Sequence, residues 1–488
     1  MLDESGCNAY SNDILAKQEY LMNTPKYTKL SKLGFSHHLL LPLFAILLVG
    51  GIGLYLTFGS KAATTTLQAR RASDFLESIG VCAHLVRENY PAKEIVGDKL
   101  SYLGVKYVRS DMGVSDSKGA EMAQYLGGRG IKFDFIIAPP KLTNPTVEDI
   151  KRAVDTRLSS IVDNGLTPYV FSVEPFNEYN NSTDPGWAAT IKQAMPYIYS
   201  QRSRLDPKTL ILGPSLINFK LKTDAEQLQF AADGSKLSTH FNRGNLHTYY
   251  GADKPESTRP DSVPLKLNLK PETRPTGASG TFDERLSYYA YFVSPDKPII
   301  VTETGYSNDS VWDKRISEKA SGTYTSRMLL ESFRIGIAKT FVYEMYNEPQ
   351  AEPSYEKNYG IFKVDGTPKP AARAIHSLTS LLQGADAKVK SASLPVTLSD
   401  TGTGLKKVLL QKNSKEYWLA LWRDTSVYTS HKDTPVSPRD LSLTFSGKKT
   451  ITAYTGLQQT SPSMSALGSK STVKVPVGAD VTLLKIQL

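Results

Sequence analysis

The sequence is poor in the residues on which several common chemistries depend. Two cysteines, Cys7 and Cys82, among 488 residues admit at most one bridge, which excludes a disulfide framework. Cys82 has no companions spaced for a zinc site or a thiol nucleophile. No glycine-rich loop follows a predicted strand, so no phosphate cradle is expected. No lysine or metal-ligand cluster falls at a strand end to support Schiff-base or metal chemistry, and no cofactor is expected. Internal repeats and low-complexity tracts are missing as well. Acidic residues are outnumbered 48 to 58, a formal net charge of +10. Diffuse basicity favours polyanions in general and selects none, so nucleic-acid binding, which would rest on charge alone, is not expected. What remains is an ordinary globular composition, 40% apolar and 22% charged, with length for two or three domains.

One stretch has no charge at all. Leu39 to Phe58 reads LLLPLFAILLVGGIGLYLTF, 20 residues that reach across the hydrocarbon core of a bilayer as a helix. The rival is a cleaved signal peptide, since Ser60-Lys61-Ala62 offers small residues for cleavage. A polar tail of 38 residues and the length of the run favour a retained anchor. Lys26, Lys29 and Lys32 before the run balance Lys61, Arg70 and Arg71 after it, so flanking charge leaves the orientation open.

From about residue 75, short apolar runs alternate with amphipathic helical stretches. Candidate strands are Ile79–Leu85, Val105–Arg109, Ile131–Ala138, Pro168–Glu174, Leu210–Gly213, Asn245–Tyr249, Pro298–Glu303 and Thr340–Tyr346. Eight strands at helix-sized intervals predict an α/β fold, a (β/α)8 TIM barrel. Ahead of the fourth strand, Thr146 with Asp149 predicts a capping box, Ile150, Val154, Leu158 and Ile161 share one helix face, and Gly165 ends it. A proline-rich insertion, 252–280, follows the sixth strand at the barrel face that carries active sites. It is read either as a roof over a substrate cleft or as a loose insertion. After Gly384 short alternating segments predict an antiparallel, β-sandwich-like domain. Residues 386–488 carry 14 Lys and Arg against 7 Asp and Glu, which makes this domain a candidate surface for an anionic cell-surface polymer. The expected organisation is a cytoplasmic tail 1–38, a single transmembrane helix 39–58, a linker 59–74, the barrel 75–384 and the β-domain 385–488.

The fourth strand leads into Glu174-Pro175-Phe176-Asn177-Glu178, and the seventh ends in Thr302-Glu303-Thr304-Gly305-Tyr306. Each places a carboxylate at the C-terminal end of a barrel strand. Two facing carboxylates are what glycoside hydrolysis requires, one to protonate the departing oxygen and one to attack or to activate water. On these motifs the sequence resembles the clan A retaining glycoside hydrolases. Within that clan it is most similar to the β-xylosidase and α-L-iduronidase type family and to bacterial exopolysaccharide endoglycosidases. The resemblance spans about Ile79 to Leu382. It implies Glu178 as acid/base, Glu303 as nucleophile and Asn177 as a partner of the sugar 2-hydroxyl.

Other positions match piecemeal. The resemblance implies that Arg109 keeps Glu303 ionised, that His247 lines the pocket and that Tyr249 bonds the nucleophile. Tyr359-Gly360-Ile361-Phe362 and the following segment to Ala371 resemble the approach to the last barrel helix. Phe176 and Tyr346 stand where many members carry tryptophan. His84 matches a sugar-contacting histidine, with a structural histidine as the alternative. Trp187 and Trp312 each follow a candidate glutamate by nine residues, as sugar platforms or as loop packing. Glu174 and Glu344 are supporting groups or core ion-pair partners. A second Asn-Glu pair, Asn347-Glu348, lies one strand too late for the acid/base. Trp418 and Trp422 share one face of a β-domain strand and are read as core.

The expected function is cofactor-independent, retaining hydrolysis of a poly- or oligosaccharide. The long insertion suggests endo action, while a closed pocket fits the motifs equally well. The alternatives are a transglycosylase on the same residues and a catalytically silent, membrane-tethered glycan-binding protein. A polymer substrate outside the cell would set the orientation: a single-pass cell-membrane protein with its barrel extracytoplasmic, or a secreted one if the N-terminal segment is cleaved.

Overall fold

The computed structural model describes residues 64–113, 117–137, 145–217, 221–256, 282–308, 315–349, 354–402 and 404–488. The expected membrane segment Leu39–Phe58, the tail before it, Trp312 and most of the 252–280 insertion lie outside them. Among the described residues no helix is long and apolar enough to cross a membrane.

The chain enters through two short strands, β1 (Thr64–Gln68) and β2 (Arg70–Arg71), and a short helix, α1 (Ala72–Glu77). The barrel strands follow: β3 (Ile79–Cys82), β4 (Tyr107–Asp111), β5 (Lys132–Ile136), β6 (Val170–Glu174), β7 (Leu210–Ile211), β8 (Gly244–His247), β9 (Ile299–Thr304) and β10 (Lys339–Val342). All eight predicted strands are present, and their neighbours pair in parallel in the order β7-β6-β5-β4-β3-β10-β9-β8. A parallel bridge from Leu212 to Arg243 joins the two ends, with Asn242 N donating to Ile211 O at 2.7 Å and Gly213 N to Arg243 O at 2.8 Å. The sheet is therefore a closed barrel, which puts every strand's C-terminal end on one face.

The helices between strands are α2 (Lys93–Leu103), α3 (Ser117–Gly128), α4 (Val147–Asp163), α5 (Trp187–Ser200), α6 (Leu221–Gln227), α7 (Phe282–Phe292), α8 (Glu318–Ile335) and α9 (Pro370–Leu382). In α4 the expected capping box is formed: Thr146 Oγ1 accepts from Asp149 N at 3.2 Å, and Asp149 accepts from Thr146 N at 3.0 Å. Ile150, Val154, Leu158 and Ile161 are buried as their spacing requires, and Gly165 takes the left-handed backbone (φ +65°) that ends the turn. α8 is buried on nearly all sides, because the β-domain covers the face that an ordinary barrel helix shows to water.

The β-domain consists of β11 (Ser393–Leu398), β12 (Leu405–Gln411), β13 (Glu416–Arg423), the small hairpin β14 (Tyr428–Thr429) and β15 (Lys432–Asp433), then β16 (Arg439–Thr455), β17 (Ser463–Val477) and β18 (Thr482–Gln487). The first half of β16 lies between β11 and the end of β17, and its second half between β18 and the start of β17. The register shift between Thr444 and Lys449 is where this long hairpin passes from one partner to the other. Alternation along β13 serves two cores. Tyr417, Leu419 and Leu421 fill the domain's own interior, while Trp418, Ala420 and Trp422 pack on the barrel side.

The expected linker 59–74 is corrected in part. β1 pairs antiparallel with β11, β2 pairs in parallel with β12, and α1 begins at Ala72, so 64–74 is folded. Arg70 also lies over the Phe333 ring of α8 and donates to the Phe333 carbonyl. Strand order in space, not proximity in sequence, sets these edges of the β-domain.

Candidate active site

Arg109, near the end of β4, is buried and donates in three directions. Nε reaches Glu174 Oε2 at 2.7 Å, Nη1 reaches Glu303 Oε1 at 2.6 Å, and Nη2 reaches Asn177 Oδ1 at 2.6 Å. A guanidinium's planar fork suits such a junction, because each arm stays charged and fixed in direction. Burial opposes its charge, but Glu174 and Glu303 outweigh burial and raise the pKa further. Burial likewise pushes the Glu303 carboxyl upward. The positive charges of His247 and Arg109 and the Tyr249 hydroxyl overcome it and hold Glu303 below the ordinary carboxylate range.

His247 ends β8, fully buried, and touches both candidate carboxylates. Its Nδ1 lies 2.8 Å from Glu178 Oε1 and 3.5 Å from Glu303 Oε2. Its Nε2 meets Thr302 Oγ1 at 2.9 Å, and Thr302 in turn donates to Asn245 Oδ1 at 2.6 Å. Burial lowers the histidine's pKa, but Glu303, Glu174 and Glu178 raise it to about 10, so the ring is an imidazolium at neutral pH. Tyr249 OH donates to Glu303 Oε2 at 2.7 Å. Both Glu303 oxygens are thus held, and oxygens of Glu178 and Glu303 lie within 4.8 Å of each other.

Glu178 sits past the end of β6 in a left-handed backbone conformation, φ 48° and ψ 38°. For a non-glycine residue this costs energy and persists only where neighbours impose it. Ser215, in the loop after β7, supplies one constraint: its hydroxyl accepts from Glu178 N at 3.1 Å and donates to Glu174 Oε1 at 2.7 Å. Glu174 is thereby a buried post between Arg109 and Ser215. Its carboxyl is lowered, burial being outweighed by Arg109 and His247. Asp134 on β5 accepts from Ser172, and burial with the charge of Glu174 raises it to about 7.

The structure gathers Arg109, Asn177, Glu178, His247, Tyr249 and Glu303 into one cluster. His84 lies at the edge, at the end of β3, with Nε2 2.8 Å from Glu344 Oε2. Tyr346 is buried edge-on to Tyr90, ring centroids 5.6 Å apart. Trp187 opens α5, half-buried against the barrel core. Asn347 is held by the Lys369 ammonium at 2.7 Å, and Glu348 pairs with Arg87, an arrangement that keeps this second Asn-Glu pair out of the cluster. Ser215, Thr302 and Asn245 were not foreseen. A register shift between β8 and β9 sets His247 opposite Glu303 after Leu246 faces Val301. Thr302 is the skipped residue, and no local pattern announces such a bulge.

Two groups among the described residues have donor atoms close enough for a metal ion: Glu178, His247 and Glu303, and His84, Glu344 and Glu348. In the first, Arg109 and Tyr249 already occupy Glu303 and His247 is an imidazolium, which leaves poor terms for a cation. The start of the insertion after β8 turns away from the carboxylates. Glu256 is buried against Arg327 of α8 and accepts from Trp422 Nε1 of β13 at 2.9 Å.

No family model and no curated relative matches the sequence. Among solved structures, a glucosidase from Croceicoccus marinus is similar at 11% identity and TM-score 0.54, over 84% of this chain and 96% of that one. A family 30 endoxylanase from Clostridium papyrosolvens is similar at 11% identity and TM-score 0.52, over 88% of this chain and 98% of that one. At such identities the likeness shows the fold, and it runs through barrel and β-domain together.

Proposed function

We propose that this chain is a glycoside hydrolase that cleaves by retaining double displacement. The observation that carries the proposal is the pair Glu178 and Glu303, oxygens within 4.8 Å, joined by the His247 ring. Retaining enzymes need carboxyl groups about 5–5.5 Å apart, whereas inverting ones leave about 6.5–9.5 Å for a water. That two structures of this fold bear the names glucosidase and endoxylanase agrees with the reading.

Glu303, ionised and oriented by Arg109 and Tyr249, attacks the anomeric carbon while Glu178, taking up the proton that His247 Nδ1 shares with it across 2.8 Å, passes a proton to the departing glycosidic oxygen. Water then enters, Glu178 takes its proton, and the glycosyl–Glu303 ester is cleaved. Asn177 commits its oxygen to Arg109, which leaves its amide N–H groups to donate to the sugar 2-hydroxyl. An uncharged Leu39–Phe58 supports anchoring in the cell membrane, a polymer substrate outside the cell would set the barrel there, and the basic β-domain suits an anionic surface polymer.

Glu303→Gln is expected to lower kcat by at least about 1,000-fold on any cleaved glycoside. A 2-deoxy-2-fluoro glycoside should add one glycosyl mass to Glu303 in the parent protein and none in the variant. Wild-type turnover in Glu303→Gln, or label on another residue, would sink the assignment. Glycan binding without release of reducing ends would favour the silent binding protein, and transfer to added acceptor sugars the transglycosylase.

A further inference from the structure

The two ring nitrogens of His247 have different company, and the difference decides which of them can give up a proton. Around Nε2 lie two acceptors, Thr302 Oγ1 at 2.9 Å and Glu174 Oε1 at 3.6 Å. A hydroxyl has one proton to give, and Thr302 gives its own to Asn245 Oδ1 at 2.6 Å. Toward His247 it can only accept, so Nε2 keeps its hydrogen in both charge states of the ring. Arg109 Nη2, 3.4 Å from Nε2, is directed to Asn177 Oδ1 at 2.6 Å. The labile proton is therefore the one on Nδ1, 2.8 Å from Glu178 Oε1. Thr302 is itself held. Cys82 Sγ donates to its carbonyl oxygen at 3.2 Å, and Thr302 and Asn245 are fully buried, so bulk water does not compete for the hydroxyl.

The charged and titratable groups around the ring come from several strands. They are Glu174 and Glu178 of β6 and the turn after it, Glu303 of β9 with the Tyr249 hydroxyl upon it, Arg109 of β4 and Asp134 of β5. Burial disfavours the ring's positive charge, and Glu303 is foremost among the groups that outweigh burial. Attack on the anomeric carbon turns the Glu303 carboxylate into a neutral ester. The hold on the Nδ1 proton thus weakens in the same step in which the departing oxygen needs one. Cleavage of the ester brings the charge back, and with it the ring's affinity for a proton.

We propose that Thr302 and Asn245 fix Nδ1 as the nitrogen that trades a proton with Glu178, and that His247 is thereby the proton store of the reaction, emptied as Glu303 is esterified and refilled as it is freed. The inference rests on the glycosidase reading above and deepens it. In the first step the Nδ1–H bond breaks and Glu178 carries the proton to the glycosidic oxygen. The bond from that oxygen to the anomeric carbon breaks as Glu303 bonds to the carbon. In the second step a water oxygen bonds to the anomeric carbon, its proton passes through Glu178 to Nδ1, and Glu303 leaves as carboxylate. Thr302 and Asn245 touch no reacting atom and are positioning residues.

The test reads the ring by nitrogen NMR in the full chain carrying isotope-labelled histidine, with His247→Asn to identify its signals among the seven histidines. As pH is raised, Nδ1 should lose its proton while Nε2 stays protonated. Glu303→Gln removes the charge as the ester does, and the loss should then occur at least about one pH unit lower. Thr302→Val keeps the side-chain shape without the hydroxyl and should let the neutral ring take the Nδ1–H form as well, whereas Thr302→Ser should not. On aryl glycosides of a sugar that the chain cleaves, Thr302→Val should cost at least about 10-fold more in kcat/KM with phenol as leaving group than with 2,4-dinitrophenol, which departs without a proton. Thr302→Ser should recover most of that difference. Loss of the proton from Nε2, or no downward shift in Glu303→Gln, overturns this inference and leaves the glycosidase reading to the Glu303 label. Equal losses with both leaving groups mark Thr302 as merely structural and overturn it too, as do His247 signals that move on adding a chelator. No cleavage of any glycoside brings down both.

Discussion

His247 lies between two carboxylates that must act in turn, and its own charge state depends on both. Its folded pKa of about 10 exceeds the ordinary 6.5, so the imidazolium stabilises the folded protein fully below about pH 6.5. That contribution declines as pH rises and is lost by pH 10. Urea unfolding followed from pH 6 to 10 should therefore show stability falling over this window, and His247→Asn should flatten the decline. An equally steep decline in the variant would place the titration elsewhere. Arg109 and Glu303 were legible as a pair through the resemblance to the clan A enzymes, which implies an arginine beside the nucleophile. Ser215 was not, because it belongs to a loop whose course depends on where β7 sits. As the hydroxyl that holds Glu178 N and Glu174 Oε1, it is a positioning residue. Ser215→Ala should lower kcat by roughly 10- to 100-fold with little change in KM, and Ser215→Thr should restore part of the loss. An unchanged kcat in Ser215→Ala would show that the left-handed turn at Glu178 needs no such support.

At the scale of single elements, local chemistry and burial agree most closely in α4. Its cap, apolar face and terminating glycine are all written within 20 residues, and each is found in place. Thr146→Ala removes the cap acceptor at an exposed position and should cost about 1 kcal/mol in chemical denaturation while leaving turnover unaltered. A loss below a few tenths would mean that Asp149 alone secures the first turn. α8 is the contrasting case. Serine, threonine, arginine and glutamate occupy most of its faces, yet they are buried: Thr323 donates to Asp480, and the Tyr324 hydroxyl accepts from Val427 N at 3.0 Å. Arg327 illustrates how that burial is tolerated: it pairs with Glu256 and donates to the Thr425 carbonyl at 2.8 Å.

Across the whole molecule, barrel and β-domain share interior surface, because Trp418 and Trp422 are buried in the same apolar cluster as the barrel's helices. The N-terminal strands extend this sharing, β1 beside β11 and β2 beside β12. A chain begun at residue 72 loses both and uncovers two sheet edges, an invitation to aggregation. Compared with a chain begun at residue 61, it should melt several degrees lower and recover poorly in the soluble fraction. Equal melting temperatures would mean that β1 and β2 add nothing to the fold. The early lysines and arginines are also better understood at this scale: Arg70, which flanked the uncharged run in sequence, packs on Phe333.

By itself the sequence determined what depends on neighbours along the chain. The eight strands, the α4 cap and the two Glu motifs at strand ends follow from period, turn chemistry and residue type, which act over a few residues. Tertiary structure alone decided what depends on partners far along the chain. Thr302 joins His247 only because β8 and β9 slip past one another by a residue. Ser215 reaches Glu178 only because β7 pairs beside β6, and residues 64–71 become strands only because β11 and β12 offer free edges. Hydrogen bonds and charges are short-ranged in space but indifferent to sequence separation, so closure of the barrel, not any motif, settles which carboxylates meet which cations.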